Sequence, residues 1–222
     1  MSAGLTVITG ANRGIGLELA RQSAARGEPV LAAVRRASPE LAELGVEVVE
    51  NVDVSTDSGV SALAGAVARR PVSRLICNAG VLTRETLSDL SIERIRRQFE
   101  VNTLGPLRTV AALVDNLGAG SKVGIVTSRM GSIADNTSGS MYGYRMSKAA
   151  VNAAGVSLAR DLAPRGVAVV LLHPGYVRTA MTGHNGYVDA DHAAQGLLAR
   201  IDALTVDTTG TFWHADGQVL PW

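Results

Sequence analysis

The sequence predicts an α/β domain: a doubly wound parallel sheet of about seven strands with helices on both faces, a three-layer sandwich. Three observations carry this. Short β-rich runs alternate with longer Ala/Leu/Arg-rich stretches along the whole chain. Several runs are apolar almost throughout, as strands covered on both faces are, rather than alternating. The first run ends in a glycine-rich turn that opens directly onto a helical pattern. The 222 residues suit one large domain, and no linker, low-complexity segment or repeat divides them, so 1–222 reads as a single unit.

Taken in order, Leu5–Thr9 is the first strand, rich in β-branched residues, and Ile15–Ala25 the first helix. Pro29–Val34 and Val46–Val49 follow as strands, then a helix over Ser58–Arg69 and a strand over Arg74–Cys77. A long helix is predicted over Ser91–Leu117, a strand over Val123–Thr127, and a second long helix over Tyr144–Ala163. Val167–Leu172, the helix Ala190–Ala203 and the weaker run Thr211–Trp213 complete the pattern. Strand, helix, strand repeated in this way calls for right-handed crossovers. The two long gaps, Ser128–Tyr142 and Val177–Asp189, both follow strands. They therefore belong at the carboxyl edge of the sheet, where such folds bind ligands.

Composition narrows the function. Hydrophobic residues make up 46% and charged ones 18%, enough apolar material for a large core and unlike a disordered chain. The formal charge is +1 with no basic block, so nothing points to nucleic acid or an anionic membrane. No leader pattern precedes Leu5, and no apolar run reaches the ~18 residues of a spanning helix, so a cytoplasmic protein is expected. Cys77 is the single cysteine, which excludes an internal disulfide or a cysteine-built zinc site and reads as packing. His173 has no second ligand at metal spacing, and no metal is expected.

The turn after the first strand reads Thr9-Gly10-Ala11-Asn12-Arg13-Gly14-Ile15-Gly16. Gly10 allows a tight turn, Gly14 the approach of a pyrophosphate, and Gly16 close packing of helix on strand. The helix N-terminus then offers free N–H groups and a positive dipole end to an anion. A dinucleotide is the ligand such a first turn implies. After the second strand, where an acid would bind a ribose 2′-hydroxyl, stand Arg35 and Arg36. A guanidinium suits a 2′-phosphate in charge and geometry, and Arg13 could reach the same group, so NADP(H) is favoured over NAD(H).

A second cluster lies in Tyr142-Gly143-Tyr144-Arg145-Met146-Ser147-Lys148. On a helix, Tyr144 and Lys148 at i and i+4 share a face, whereas Tyr142 points away. A nearby ammonium favours phenolate and should lower the Tyr144 pKa from about 10, letting the phenol exchange a proton with a carbonyl or alcohol oxygen.

These segments, with Asn78-Ala79-Gly80, Asn102, Ser128 and Pro174-Gly175 in the same order, resemble the short-chain dehydrogenase/reductase family across essentially the whole chain. Gly131-Ser132-Ile133, the Tyr142–Lys148 stretch, His173–Thr179 and the ending Gly217–Trp222 resemble its C-factor/sniffer-like carbonyl reductase branch. The resemblance implies a Rossmann-like fold and an oxidoreductase acting on a CH–OH/C=O pair. Tyr144 would be the general acid in reduction and the base in oxidation. Lys148 would lower its pKa and bind the nicotinamide ribose, Ser128 would hold the substrate oxygen, and Asn102 would anchor a proton-relaying water. Asp53, with Val54 beside it, matches the adenine-contacting position. Asn78, Ala79 and Gly80 lie beside the adenosine ribose, and Pro174, Gly175, Val177 and Thr179 match the nicotinamide side. Between Ser128 and Tyr144 the chain is a few residues longer than the family commonly has, which implies an insertion in Ile133–Ser140.

The substrate edge is expected from Ser128, Arg129, Met130, Met141, Tyr176, Met181 and His184, with Tyr187 and Trp213 beside them. This mixed, mostly apolar set suits a neutral carbonyl or alcohol compound. Gly183 and Gly186 would let the loop around His184 act as a lid. The long helices Ser91–Leu117 and Tyr144–Ala163 would make a homodimer, with a tetramer as the next choice. The alternative function is a cofactor-binding regulatory or signalling protein that kept the fold with little turnover.

Overall fold

The structure, a computed structural model, describes residues 4–222. Seven strands form one parallel sheet: β1 (Leu5–Thr9), β2 (Val30–Ala33), β3 (Glu47–Val49), β4 (Val72–Cys77), β5 (Leu117–Val126), β6 (Ala168–His173) and β7 (Thr211–His214). Their order is β3-β2-β1-β4-β5-β6-β7. The chain winds outward from β1 in one direction, then returns to place β4 on its other side. That reversal opens a crevice at the carboxyl ends of β1 and β4.

Seven α-helices cover the two faces: α1 (Gly14–Ala25), α2 (Pro39–Ala42), α3 (Asp57–Val67), α4 (Ile92–Phe99), α5 (Gly105–Ala112), α6 (Tyr142–Leu162) and α7 (Ala190–Ala203). The period of two along each strand divides the core. Val169 and Leu171 of β6 pack with residues of α3, α5 and α6. Val170 and Leu172 pack with those of α1 and α7 on the opposite face. This two-sided burial is why the strands read as unbroken apolar runs.

The long helix expected over Ser91–Leu117 is interrupted. Glu100–Leu104 forms one π-helical turn between α4 and α5, Val114–Asn116 is a 3₁₀ turn, and Leu117 already belongs to β5. Pro106 supplies a reason for the break, because it has no N–H for the carbonyl of Asn102 four residues back. β5 starts six residues earlier than expected, since Leu117 pairs with Val72 before an irregularity that brings Lys122 beside Arg74. The short helix α2 was not expected from periodicity. Its signal is local: the Ser38 hydroxyl caps it by accepting from the Leu41 N–H at 3.2 Å, and Pro39 opens it. Among the described residues, no helix is long and apolar enough to cross a membrane. Among the same residues, no group of three or more His, Cys, Asp or Glu could hold a metal ion.

Leu171 is fully buried and fills the space opposite Gly155 of α6. Leu171→Ala is expected to cost about 2–5 kcal/mol of stability in chemical denaturation. A loss well under ~1 kcal/mol would contradict close packing between α6 and the sheet.

Candidate active site

The glycine turn is framed from below by two polar side chains. Asn78 Nδ2 donates to the carbonyl oxygens of Thr9 and Gly10, both at 3.1 Å. The backbone N–H groups of Asn78 and Ala79 donate to the Thr9 hydroxyl at 3.1 and 3.2 Å. The ends of β1 and β4 are thereby fixed to each other. Gly10 takes φ +70°, a conformation that favours glycine. A Cβ at Gly16 would run into the Gly10 carbonyl, so only glycine lets α1 start this close to the turn. Arg13 stands at the N-cap of α1 with no side-chain cap, leaving the first-turn N–H groups free to face an anion.

Above the turn lies a cleft of about 650 Å³. It is lined by Gly10, Asn12, Arg13, Gly14, Ile15, Gly16, Arg35, Arg36, Asp53, Val54, Asn78, Ala79, Gly80 and Thr179, all expected from the sequence as cofactor contacts. Met181 and His184, expected at the substrate edge, line this cleft as well. Thr9, Pro174, Gly175 and Val177 do not line it. Thr9 is spent on framing the turn, and Gly175, at φ +91°, packs near the His214 ring. The sequence reading missed Val34, Val52, Val81, Val101, Arg178 and Ala180 in the wall. Most stand next to a recognised residue at a strand end, a position that would have flagged them.

Asp53 accepts from the Ser55 N–H at 2.9 Å and the Ser55 hydroxyl at 2.6 Å, while the α3 cap is supplied by Thr56. Burial pushes the Asp53 carboxyl upward, but the Ser55 hydrogen bonds and the charges of Arg35 and Arg97 outweigh it and hold it below the usual range. Arg97 on α4 thus joins the cationic surroundings of the cleft. The loop after β6 is clasped at its ends by an Arg178–Asp189 ion pair at 2.7 Å, with Gly183 at φ +64° and Gly186 at φ +153° between them.

The second group is assembled from β5, α6 and the π-helical turn. Ser128 follows β5 directly and is buried; its hydroxyl accepts from the Met130 N–H at 3.1 Å and faces the Tyr144 phenol. Tyr144 lies in the first turn of α6, and Lys148 one turn later places Nζ 5.7 Å from the Tyr144 ring centroid. Lys148 Nζ donates to the Val126 carbonyl at 2.9 Å. Asn102 accepts from the Val81 N–H at 2.8 Å and donates to the Val81 carbonyl at 2.9 Å and the Ser147 hydroxyl at 3.0 Å. Gly80 joins the two regions: a Cβ there would lie 3.3 Å from Asn102 Oδ1 and 3.9 Å from Lys148 Nζ.

The electrostatics correct one expectation. The Tyr144 phenol is not lowered by Lys148; burial pushes it up to about 12, and the nearby Ser128 hydroxyl only partly opposes this. Burial also lowers the Lys148 amine to about 8. In a dry pocket, desolvation of both charged forms exceeds their attraction, so each group is driven toward its neutral form. The phenol therefore stays protonated across the neutral range.

Several neighbours serve the frame. Ser147, fully buried, links Asn102 to α6 by donating to the Tyr144 carbonyl at 2.9 Å. Thr127 donates to Asn152 Oδ1 at 2.7 Å, tying β5 to α6. Arg129 pairs with Asp135 at 3.1 Å, and Tyr176 meets Tyr187 edge-on at 5.6 Å. Trp213, expected at the substrate edge, is instead packed under the Arg200 guanidinium at 5.5 Å. His173 lies edge-on to His214 at 5.0 Å, with burial driving it to the neutral form and its pKa to about 3. The Cys77 thiol is pushed up to about 12 by burial, as befits packing. Ser140 and Met141, just before α6, have φ +54°, a left-handed conformation costing a non-glycine residue on the order of 1 kcal/mol.

The pattern of the short chain dehydrogenase family matches residues 5–187, and the chain belongs to that family, whose members are oxidoreductases. It is 45% identical over 222 residues to the 1-hydroxy-2-glutathionyl-2-methyl-3-butene dehydrogenase of Rhodococcus sp. (strain AD45), covering 97% of this chain and 98% of that one. C-signal of Myxococcus xanthus is 44% identical over 164 residues, 72% of this chain and 99% of its own. Among solved structures, the NADPH-bound carbonyl reductase from chicken fatty liver superposes with a TM-score of 0.90 at 26% identity, covering 100% of both chains.

A folded-state lysine near 8 binds fewer protons than its unfolded counterpart up to about 10.5, so stability rises with pH through that window. Below pH 8 the fold must hold a buried ammonium, at a cost on the order of 3 kcal/mol. Comparing pH 7 with pH 10, denaturation of Lys148→Met should lack this rise. An unchanged pH dependence in the variant would refute the buried-amine account.

Proposed function

We propose that the chain is an NADP(H)-dependent oxidoreductase that interconverts a carbonyl and an alcohol at Ser128, Tyr144, Lys148 and Asn102. The observation that carries the reading is the buried group of these four side chains joined through Gly80 to a dinucleotide-sized cleft. The residues present fit the cofactor. The uncapped start of α1 and the glycine turn suit a pyrophosphate, and Arg35 and Arg36, in a wall with no acid after β2, suit a 2′-phosphate. When bound, NADP(H) supplies or accepts the hydride.

The chain's own residues then orient the substrate and move protons. In reduction, the Ser128 hydroxyl and the Tyr144 phenol converge on the substrate oxygen, and the neutral phenol donates its proton there as negative charge develops. Lys148, lowered to about 8, is matched to returning a proton near neutral pH. In oxidation the same groups run in reverse. The chain's resemblance to a dehydrogenase of a glutathionyl alcohol favours a substrate with a polar, bulky substituent beside the hydroxyl-bearing carbon, a second reading beside a neutral carbonyl. The resemblance to C-signal supports the alternative of a signalling protein with little turnover. The exposed side chains of Leu107 on α5 and Met146 on α6 support assembly as a homodimer.

Tyr144→Phe should bind NADPH within about threefold of wild type yet lose on the order of 10³-fold or more in kcat with carbonyl substrates. Normal turnover in this variant would sink the mechanism. If wild type binds NADPH but reduces no member of an aldehyde, ketone and quinone panel and oxidises no glutathionyl alcohol, the signalling reading prevails. Arg35→Ala with Arg36→Ala should raise KM for NADPH by roughly tenfold or more and leave that for NADH nearly unchanged. Equal effects on both cofactors would remove the 2′-phosphate assignment.

A further inference from the structure

Glu85 lies in the loop that follows β4, and no step described above uses it. Its side chain is fully buried, which is rare for an acid unless it is fully partnered. Its carboxylate accepts from the Thr83 hydroxyl at 2.5 Å, from the Gln98 side-chain amide at 3.2 and 3.3 Å, and from the Gly143 N–H at 3.3 Å. Arg94 Nε is 3.8 Å away. Every partner is a donor, so the cage is built for two accepting oxygens.

The cage is one end of a longer arrangement. From Val81 to Glu85 the chain runs beside the helix that carries Gln98 and Asn102, which are one turn apart. Asn102 takes both main-chain groups of Val81, Gln98 Oε1 accepts from the Thr83 N–H at 3.1 Å, and Gln98 Nε2 donates to Glu85. A helical turn of roughly 5.4 Å thus meets alternate residues of an extended chain, roughly 6.6 Å apart. Two rungs continue into α6. Asn102 reaches Ser147, and Glu85 reaches Gly143 through its side chain and the Met141 N–H through its carbonyl, at 2.7 Å. A Cβ at Gly143 would run into the Gln98 amide, so the fit there is close.

The Glu85 carbonyl meets Met141 in the left-handed turn at Ser140 and Met141, and its carboxylate meets Gly143, the residue before Tyr144 in the first turn of α6. The direction in which α6 sets out, and with it the place of the phenol, is decided at that turn. We propose that Glu85 is a positioning residue for Tyr144: its buried carboxylate clamps the first turn of α6 at Gly143 and holds the phenol within reach of Ser128 and the substrate oxygen. The proposal rests on the reading of Tyr144 as the proton donor.

Glu85→Gln keeps the size but sets an NH₂ against a donor. It is compared with wild type by steady-state kinetics, NADPH binding followed by fluorescence, and thermal melting. The expected result is folded protein with NADPH affinity and substrate KM within about threefold and kcat reduced by roughly 10- to 100-fold. Adding Gln98→Glu returns an acceptor to the cage and should recover most of kcat. A kcat within twofold of wild type in Glu85→Gln overturns the proposal. So does a kcat loss accompanied by an equal loss of NADPH-binding sites, which marks a folding defect alone. If Glu85→Gln yields no folded protein, Thr83→Val removes one donor instead and is held to the same kcat-against-KM criterion. Tyr144→Phe is run alongside. Turnover there defeats the reading of the site, whereas an inactive Tyr144→Phe beside a fully active Glu85→Gln defeats only the positioning role.

Discussion

The pin between β1 and β4 is the constraint on which the site depends. Asn78 gives both protons of its side-chain amide to carbonyls of the glycine turn, and Thr9 receives two N–H groups from the far strand. At a topological switch point the neighbouring crossovers diverge, and these side-chain bonds extend the β1–β4 pairing to the lip of the crevice. The pin fixes the turn, the turn fixes the start of α1, and Gly80, two residues beyond Asn78, carries the same wall to Lys148 and Asn102. Asn78 is thus a cleft residue whose main contribution is structural.

Desolvation governs the chemistry that this frame encloses. Burial, and not their mutual attraction, sets the direction of both the Tyr144 and the Lys148 shift. In the proposed mechanism, a phenol kept neutral is the donor, backed by an amine able to exchange protons close to physiological pH. A more exposed pair would have lost that difference in environment.

Much of this was legible in the sequence because it is written in local patterns. The glycine turn, Arg35 and Arg36, Asp53, Asn78 and the Tyr144–Lys148 spacing are short signals in fixed relation to strand ends, and the structure gathers them around one cleft and its neighbour. The boundaries of α1, α6 and α7 lay within two residues of expectation, since their periodicity is uninterrupted. The break after Phe99 was missed because the apolar period runs through it, and only Pro106 marks it. The direction of the Tyr144 shift was missed because sequence spacing reports a charge's neighbour but not its solvent. Glu85 and Gln98 were invisible for a related reason: a polar residue in a loop or on an amphipathic helix reads as solvent-facing until the fold closes over it.

The buried amine has one more consequence. Lys122 and Lys148 are the only lysines, so nineteen of the 21 basic side chains are arginine. Guanidinium groups hold their charge throughout the alkaline range, and carboxylates have long since ionised there. Burial also lowers Lys122, so a Lys122→Arg variant would leave Lys148 as the one lysine able to titrate between about pH 7 and 9.5. A proton-counting measurement on that variant in that interval, such as heats compared in buffers of different ionisation enthalpy, would report chiefly on the buried amine.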